Sequence, residues 1–454
     1  MTFLTNLVLI PVRLLLVLIG GLMDTARLLG LIGSAVSGDE GTFKTRALAK
    51  LGSTAGQLRL FGVLRVFNAN LAISKRLVQA YENAGTVLVT RYDDVREVLE
   101  RESDFAVVYE PRMRRITAGE NFFLGMQRSP AYQHDVSVMR LAVRWEDVSL
   151  VVAPFVERET QALLSDTSGT IDVPAQLTLP VVARMVGRYF GTPGPTEQEM
   201  IHWTSTMFWY LFIDLGADPE VERDAMVAAR ACRAYLDRTI AERKSSPTDD
   251  DDVLNRCLHL QRAGKLGFDD LAIRNNLIGL IIGAIPTLSR AAVQALDQIL
   301  ERPPILALAR EAARMYDMDR LRAIVFEALR FNPVNPVIYR RAARDCTIAE
   351  GTLRACRIPQ DSMVLAATLS AMHDPCSVPA PSSFRTDRPE EHYILWGYGL
   401  HTCFGEHINR AVVPALLRPL LASLDLRRAE GTMGQIDTAG TPFPTHFLVE
   451  TARR

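Results

Sequence analysis

A mainly α-helical protein with a minor β subdomain is the fold that this sequence of 454 residues predicts. Three observations lead there. Helical periodicity runs through most of the chain. One long segment, Leu271 to Glu301, is apolar on nearly every face at its middle, as a helix buried all round must be. Strand patterns are short and do not alternate with helices as in a βαβ protein. Hydrophobic residues at 48% and charged residues at 23% are ordinary for a globular protein and exclude a disordered or collagenous one. A chain this long buries most of its unfolded surface, so it needs no disulfide or metal to fold.

The elements follow in order. Leu7 to Met23 is almost wholly apolar, broken by Pro11, Arg13 and the Gly20-Gly21 pair. A spanning helix wants about 20 apolar residues, and a charge near its middle costs about 2.5 to 3.5 kcal/mol. Arg13 can snorkel from an off-centre position. No charge precedes it, which speaks against a secretory signal. Three readings stay open: a spanning anchor with Arg27, Lys44, Arg46 and Lys50 on the cytoplasmic side, a helix lying in the membrane interface, and an ordinary core helix. The reading adopted is a membrane-associating segment over residues 1–34, ahead of one cytoplasmic domain over residues 35–454.

Gly85 to Arg91 reads as a strand, followed by a helix from Asp93 to Arg101. From Ile201 to Glu242 the pattern is helical and rich in aromatic residues. Ser245 to Asp252 is a loop whose acidic end caps the next helix. Leu271 to Glu301 spans about eight turns at 3.6 residues each. At its centre stand Gly283-Ala284, which let something flat approach the backbone, and Pro286-Thr287. Proline removes one helix hydrogen bond, so a bend or an opening is expected. Pro303 and Pro304 stop the pattern. A helix over Met318 to Phe331 and a small sheet between Asp345 and Leu369 complete the reading.

Lys plus Arg number 51 and Asp plus Glu 52, so no basic footprint marks a nucleic-acid binder. Six cysteines stand singly, without CxxC or zinc spacing, which fits a reducing compartment. One of them carries a pattern: Trp396-Gly-Tyr-Gly399-Leu-His401-Thr-Cys403-Phe-Gly405, just before an apolar helical run. Glycines permit turns closed to other residues. A sulfur at a helix start is biased toward thiolate, and a thiolate is either a nucleophile or a metal ligand. A nucleophile would want His401 or His407 in reach, and an inert buried cysteine is the commonest fate of a lone one. Upstream, Glu327 and Arg330 share a helix face among apolar neighbours, so they read as a buried brace that Arg388, in Phe384-Arg-Thr-Asp-Arg388, could complete.

In order and spacing these motifs resemble the cytochrome P450 family, from about Gly85 onward, with Trp396 where the family's loop carries phenylalanine. The resemblance implies the cytochrome P450 fold and haem b (iron protoporphyrin IX), its iron held by the Cys403 thiolate, a ligation that favours O–O cleavage. It implies His401, Arg340, Arg140 and, with poorer alignment, His134 as partners of the haem propionates. Glu327, Arg330 and Arg388 become a brace, and His373 belongs to a turn at a sheet edge. Thr287 would assist oxygen activation, with Gly283 and Ala284 leaving room above the ring. By analogy Phe122, Phe123, Ile285, Val334 and Val337 would line the pocket.

Two departures stand out. Most members place an acid before the threonine; here Pro286 takes that place. Either protons arrive through water in a groove that Pro286 opens, or the enzyme uses peroxide or rearranges a lipid peroxide. Pro414 and Pro419 predict a bent or stepped helix after Cys403. Arg410, Arg418, Arg427 and Arg428 offer a basic face for an acidic electron donor. The expectation is a monooxygenase inserting one atom of O2 into an apolar substrate (lipid, terpene or steroid-like), with electrons from a separate ferredoxin, flavodoxin or reductase. A haem-based sensor and a cysteine hydrolase are the rivals.

Overall fold

The computed structural model describes residues 2–36, 42–167, 169–264 and 267–451. Of the apolar stretch expected at Leu7 to Met23, the side chains of residues 7–17 lie outside the described ones. The chain divides into two compact units, one made of residues 1–78, 82–106 and 330–402, the other of 79–81, 107–329 and 403–454.

The first unit holds the N-terminal helix Thr2–Gly33, which packs on the helix Thr54–Phe67. Gly21 makes that approach possible, because a Cβ there would lie 2.6 Å from Val66 Cγ2. Leu18, Ile19, Leu22, Met23 and Leu29 remain exposed along the same helix. A five-stranded sheet runs in the order Asn70–Ile73, Thr86–Val89, Met363–Ala366, Ile338–Ala342, Phe105–Ala106. Its one parallel pairing joins Thr86–Val89 to Met363–Ala366 with Val87 opposite Val364. The inward residues Val87, Val364 and Phe105 pack with Val95 and Val98 of the helix Tyr92–Glu100 and with Ile348 and Ile358 of a hairpin. The strand, helix and small sheet expected from the sequence all form here.

The second unit is helical apart from a three-stranded sheet of Thr170–Asp172, Leu448–Glu450 and Arg427–Arg428. Its axis is the central helix Asp270–Leu300, opened by the Asp269 carboxylate accepting from Ala272 N–H at 2.8 Å. The helix packs against Leu179–Phe190, Glu197–Phe208, Pro219–Ser245 and Glu406–Leu421. It is long and apolar enough to cross a membrane, yet 72% of its most apolar stretch is buried inside the protein, which makes it a core helix.

One helical expectation is refined, and at two others prolines leave their helices continuous. The stretch Ile201 to Glu242 is two helices, Glu197–Phe208 and Pro219–Ser245, linked through a wider turn at Trp209–Ile213. Asp218 caps the second by accepting from Glu220 N–H at 2.9 Å, and Pro219 takes its first position, where a missing N–H is harmless. Pro414 and Pro419 do not break the helix after Cys403, which runs unbroken as Glu406–Leu421. Nor does Pro286 interrupt the central helix. Tertiary packing overrides the local loss of one hydrogen bond in each case. At the loop 245–252 the expectation is met: Asp252 accepts from Asn255 N–H at 2.8 Å and caps the helix Val253–Arg262.

Candidate functional site

In the second unit, the middle of the central helix is buried except at Leu280, Gly283, Ala284 and Thr287. The spacing i, i+3, i+4, i+7 puts these on one face. A Cβ built on Gly283 would meet nothing within 4 Å, so open space adjoins the helix there. Gly283, Ala284 and Thr287, singled out from the sequence, therefore share one accessible stripe. Pro286 is buried and points elsewhere. Leu280 was missed, although it lies one turn before Gly283. The Thr287 hydroxyl donates back to the Gly283 carbonyl, a local bond open to threonine inside a helix. Of the residues proposed to line the pocket, Ile285 is fully buried off the stripe and Phe122 packs against Gly279 of the same helix. Phe123 meets the Phe404 ring at 5.2 Å.

Cys403 precedes the helix Glu406–Leu421, whose N-cap is Gly405. Its side chain keeps accessible surface, yet the surrounding protein pushes the free thiol up through desolvation, with the Gly405 N–H and Arg140 acting in the opposite direction. The two observations agree if the sulfur is open to a recess and not to bulk water. The sequence-based bias toward a free thiolate is thus outweighed by burial. Holding this sulfur as an anion needs a stronger partner than a helix terminus, and a metal ion provides it. Gly405 itself has φ −86°, a conformation open to any residue; the glycines the loop requires are Gly397, at φ +82°, and Gly399, at φ +73° and with its Cβ position 2.9 Å from Leu99 O.

Arg140, near the end of the helix Pro130–Ala142, lays its guanidinium 3.7 Å from the centroid of the Phe404 ring. Its Nη1 lies 3.2 Å from His407 Nδ1. Guanidinium can only donate, so Nδ1 accepts and the proton of the neutral imidazole sits on Nε2, which is buried without a partner. Desolvation first and Arg140 second push His407 down to about 4. The exposed Trp145 covers the other face of the imidazole, ring centroids 4.5 Å apart and planes at 22°. His407 thus bonds Arg140, as the general base of a cysteine hydrolase would not. His134, six residues before Arg140, lies on a different face of their helix, beside Asp135, whose carboxyl burial pushes up.

The first unit contributes the other predicted residues. His401 ends a short turn, Gly399–His401, and is pushed down to about 4 by burial and by Arg340. Arg340 is buried on the strand Ile338–Ala342 and donates to Tyr339 O at 2.9 Å. Trp396 is half-buried in the loop leading to that turn. Arg330 donates to Met372 O at 3.1 Å and Ser383 O at 3.4 Å, and Arg388 to Pro379 O at 2.7 Å and Ser383 O at 2.8 Å. The two arginines tie the segment 372–383 from below. His373, fully buried in it, meets Leu369 O at 3.0 Å.

The basic face expected from four arginines is neutralised. Arg410 pairs with Glu406 at 2.9 Å, Arg418 with Glu157 at 2.5 Å, Arg427 with Glu450 at 2.6 Å and Arg428 with Asp297 at 2.8 Å.

A cysteine whose sulfur is open within dense protein, ahead of a helix that packs on a long core helix with a bared stripe, defines a class. The chain belongs to the cytochrome P450 family, whose model matches residues 195–441. Among curated proteins it is similar to the erythromycin C-12 hydroxylase of Saccharopolyspora erythraea, 26% identical over 59% of this chain and 65% of that protein. It is also similar to the mycinamicin IV hydroxylase/epoxidase of Micromonospora griseorubida, 25% identical over 74% of this chain and 81% of the relative. The match spans less than two thirds of the length of the first relatives, 65% and 62%. Solved structures share the fold: a mutant of P450 EryK with erythromycin B, at TM-score 0.71 and 22% identity over 87% of this chain and 96% of that one. P450BioI with an acyl-carrier protein ligated to hexadec-9Z-enoic acid gives TM-score 0.74 and 17% identity, over 88% and 99%.

The family implies a haem iron. The open Cys403 sulfur and the space beside Gly283, where even a methyl group would meet nothing, fit such a flat apolar group.

Proposed function

We propose that this protein is a haem-thiolate monooxygenase that inserts one oxygen atom from O2 into an apolar small molecule, with two electrons from a separate ferredoxin, flavodoxin or reductase. The observation that carries the reading is the bared stripe Leu280, Gly283, Ala284, Thr287 in an otherwise buried helix, in a chain whose family loop presents Cys403. Cys403 would hold the iron of haem b; His401 and Arg340 would serve its propionates. When bound, the haem supplies activation of oxygen and its transfer to carbon. The chain's own residues do the rest. Leu280 and Ala284 present an apolar wall that excludes water and orients a greasy substrate. Thr287 holds its proton on the Gly283 carbonyl, and turning the hydroxyl outward frees it to donate at the stripe. The relatives named for erythromycin and mycinamicin hydroxylation support a small-molecule substrate, and the apolar Leu280 and Ala284 favour a lipid-, terpene- or steroid-like one.

The exposed Leu18, Ile19, Leu22, Met23 and Leu29 of the N-terminal helix support membrane association of residues 1–34, with residues 35–454 as the catalytic domain on the cytoplasmic side. A second reading rests on Pro286. With no acid before Thr287 and the Thr287 hydroxyl turned to its own backbone, a peroxide-using or lipid-peroxide-rearranging enzyme is supported as the alternative.

The experiment compares product formed from a substrate that shifts the haem spectrum, with NADPH and a ferredoxin–reductase pair in one arm and hydrogen peroxide in the other. Turnover in the electron-fed arm, undiminished by catalase, is expected. Product with peroxide alone moves the assignment to the second reading.

A further inference from the structure

An exposed tryptophan costs solubility unless it does something, and Trp145 is 66% exposed. Its indole does not sit idle: it lies flat on His407 at 4.5 Å. His407 in turn meets Arg140 at 3.2 Å, and Arg140 lies over the ring of Phe404, the residue next to Cys403. Arg140 and Cys403 act on one another electrostatically, each favouring the other's charged form, and Arg140 there opposes the Glu406 carboxylate, which disfavours the thiolate and favours the guanidinium. Arg140 is a long side chain with several rotamers. Without a fixed acceptor on its far side, only the longer-range pull of Glu406 and of Tyr132 in its own helix would keep the charge over Phe404. The histidine supplies that acceptor, and its ring can present Nδ1 only while its plane is held. The tryptophan holds it.

We infer that Trp145 and His407 are positioning residues: the indole clamps the imidazole, the imidazole clamps Arg140, and the guanidinium so placed sets the electrostatic potential at the Cys403 sulfur. The inference rests on the proposed haem-thiolate reading, and it assigns a role to a surface side chain that is not part of the bared stripe where substrate would sit. A fixed positive charge beside the sulfur stabilises the more electron-rich form of the site, so it raises the ferric/ferrous midpoint potential. Loosening Arg140 lowers that potential without requiring any change at the substrate face.

The test is a spectroelectrochemical titration of the haem-loaded protein, with four single variants and one double. His407→Phe keeps a ring for the tryptophan and removes the acceptor; its midpoint potential should fall. His407→Gln restores an acceptor and should return most of the shift. Trp145→Ala should lower the potential by less than His407→Phe does, while Trp145→Phe stays near the parent. The double variant Trp145→Ala/His407→Phe should match His407→Phe alone, because the tryptophan acts through the histidine. If Trp145→Ala fails to load haem, Trp145→Leu takes its place with the same expectation. A parent-like potential in both Trp145→Ala and His407→Phe overturns the inference, as does a double variant whose shift is the sum of the two. A parent protein with no thiolate-type band in its ferrous–CO spectrum overturns the functional reading itself, whereas a normal band with unmoved potentials overturns this inference alone.

Discussion

Two histidine–arginine pairs flank Cys403 in sequence, and they are built differently. His401, two residues before the cysteine, feels the charge of Arg340, a buried residue on a strand of the first unit. His407, four residues after it, is paired in the second with Arg140 on a helix. Both imidazoles are pushed down to about 4, by burial first and an arginine second. The difference lies in the support. Arg340 comes from a strand held on both sides by neighbours, so its backbone is fixed by the ladder. Arg140 comes from a helix end and depends on a histidine that depends on a tryptophan at the surface. Similar electrostatics can therefore rest on a rigid scaffold in one place and on a chain of side chains in another. The second arrangement is the easier to disturb and the better suited to tuning.

The largest effect should come from the first unit's brace. Arg330→Met leaves the buried Met372 carbonyl without its charged donor, while Ser383 O keeps Arg388, and should cost about 1 to 3 kcal/mol in denaturant unfolding. A loss under about 1 kcal/mol would show that Arg330 does not brace the segment 372–383. Next, Arg340→Ala should speed haem loss to apomyoglobin by about 10- to 100-fold, the worth of one charged hydrogen bond, with little change in midpoint potential. Arg140→Ala should do the reverse. Identical profiles would erase the distinction.

Smaller still is the pH dependence. The folded protein holds His407 neutral, whereas the unfolded chain protonates near the ordinary value of 6.5, so the unfolded state binds more protons between about 4 and 6.5. Stability is then lost as pH falls through that window, by at most about 1.4 kcal/mol per unit for this group. His407→Gln should flatten the acid limb of a plot of melting temperature against pH. His446 has the opposite sign: its Asp172 partner, at 2.6 Å, raises its pKa, so its contribution is fully present below the ordinary 6.5 and is lost as pH rises from there through the raised value. His446→Gln should remove that alkaline decline, and a decline on the acid side instead would refute the pairing. Least of all, Arg427→Ala on the exposed Glu450 pair should change stability by no more than about 1 kcal/mol.

Much of this was legible in the sequence where periodicity is long. The central helix was expected over Leu271 to Glu301 and runs Asp270–Leu300, and the helix Met318–Phe331 is as expected. The Cys403 loop was readable because its glycines and histidine lie within ten residues of each other. The Trp145–His407 stack was not, because it joins helices far apart in the chain, and no local spacing reports such a contact. The break at Pro219 was signalled by the Asp218-Pro219 pair and hidden by aromatic residues that kept the helical pattern going. The prolines at 286, 414 and 419 pointed in the other direction. A local rule predicted bends or steps, and burial on several sides keeps each helix continuous.

All of it depends on the bond from Cys403 to iron, and the ferrous–CO difference spectrum of the haem-loaded protein tests that bond most directly. The parent should show the red-shifted Soret band of a thiolate-ligated haem, and Cys403→Ser should lose it while keeping the fold. A band at the position given by histidine-ligated haem proteins in the parent, or an unchanged band in Cys403→Ser, would contradict the account.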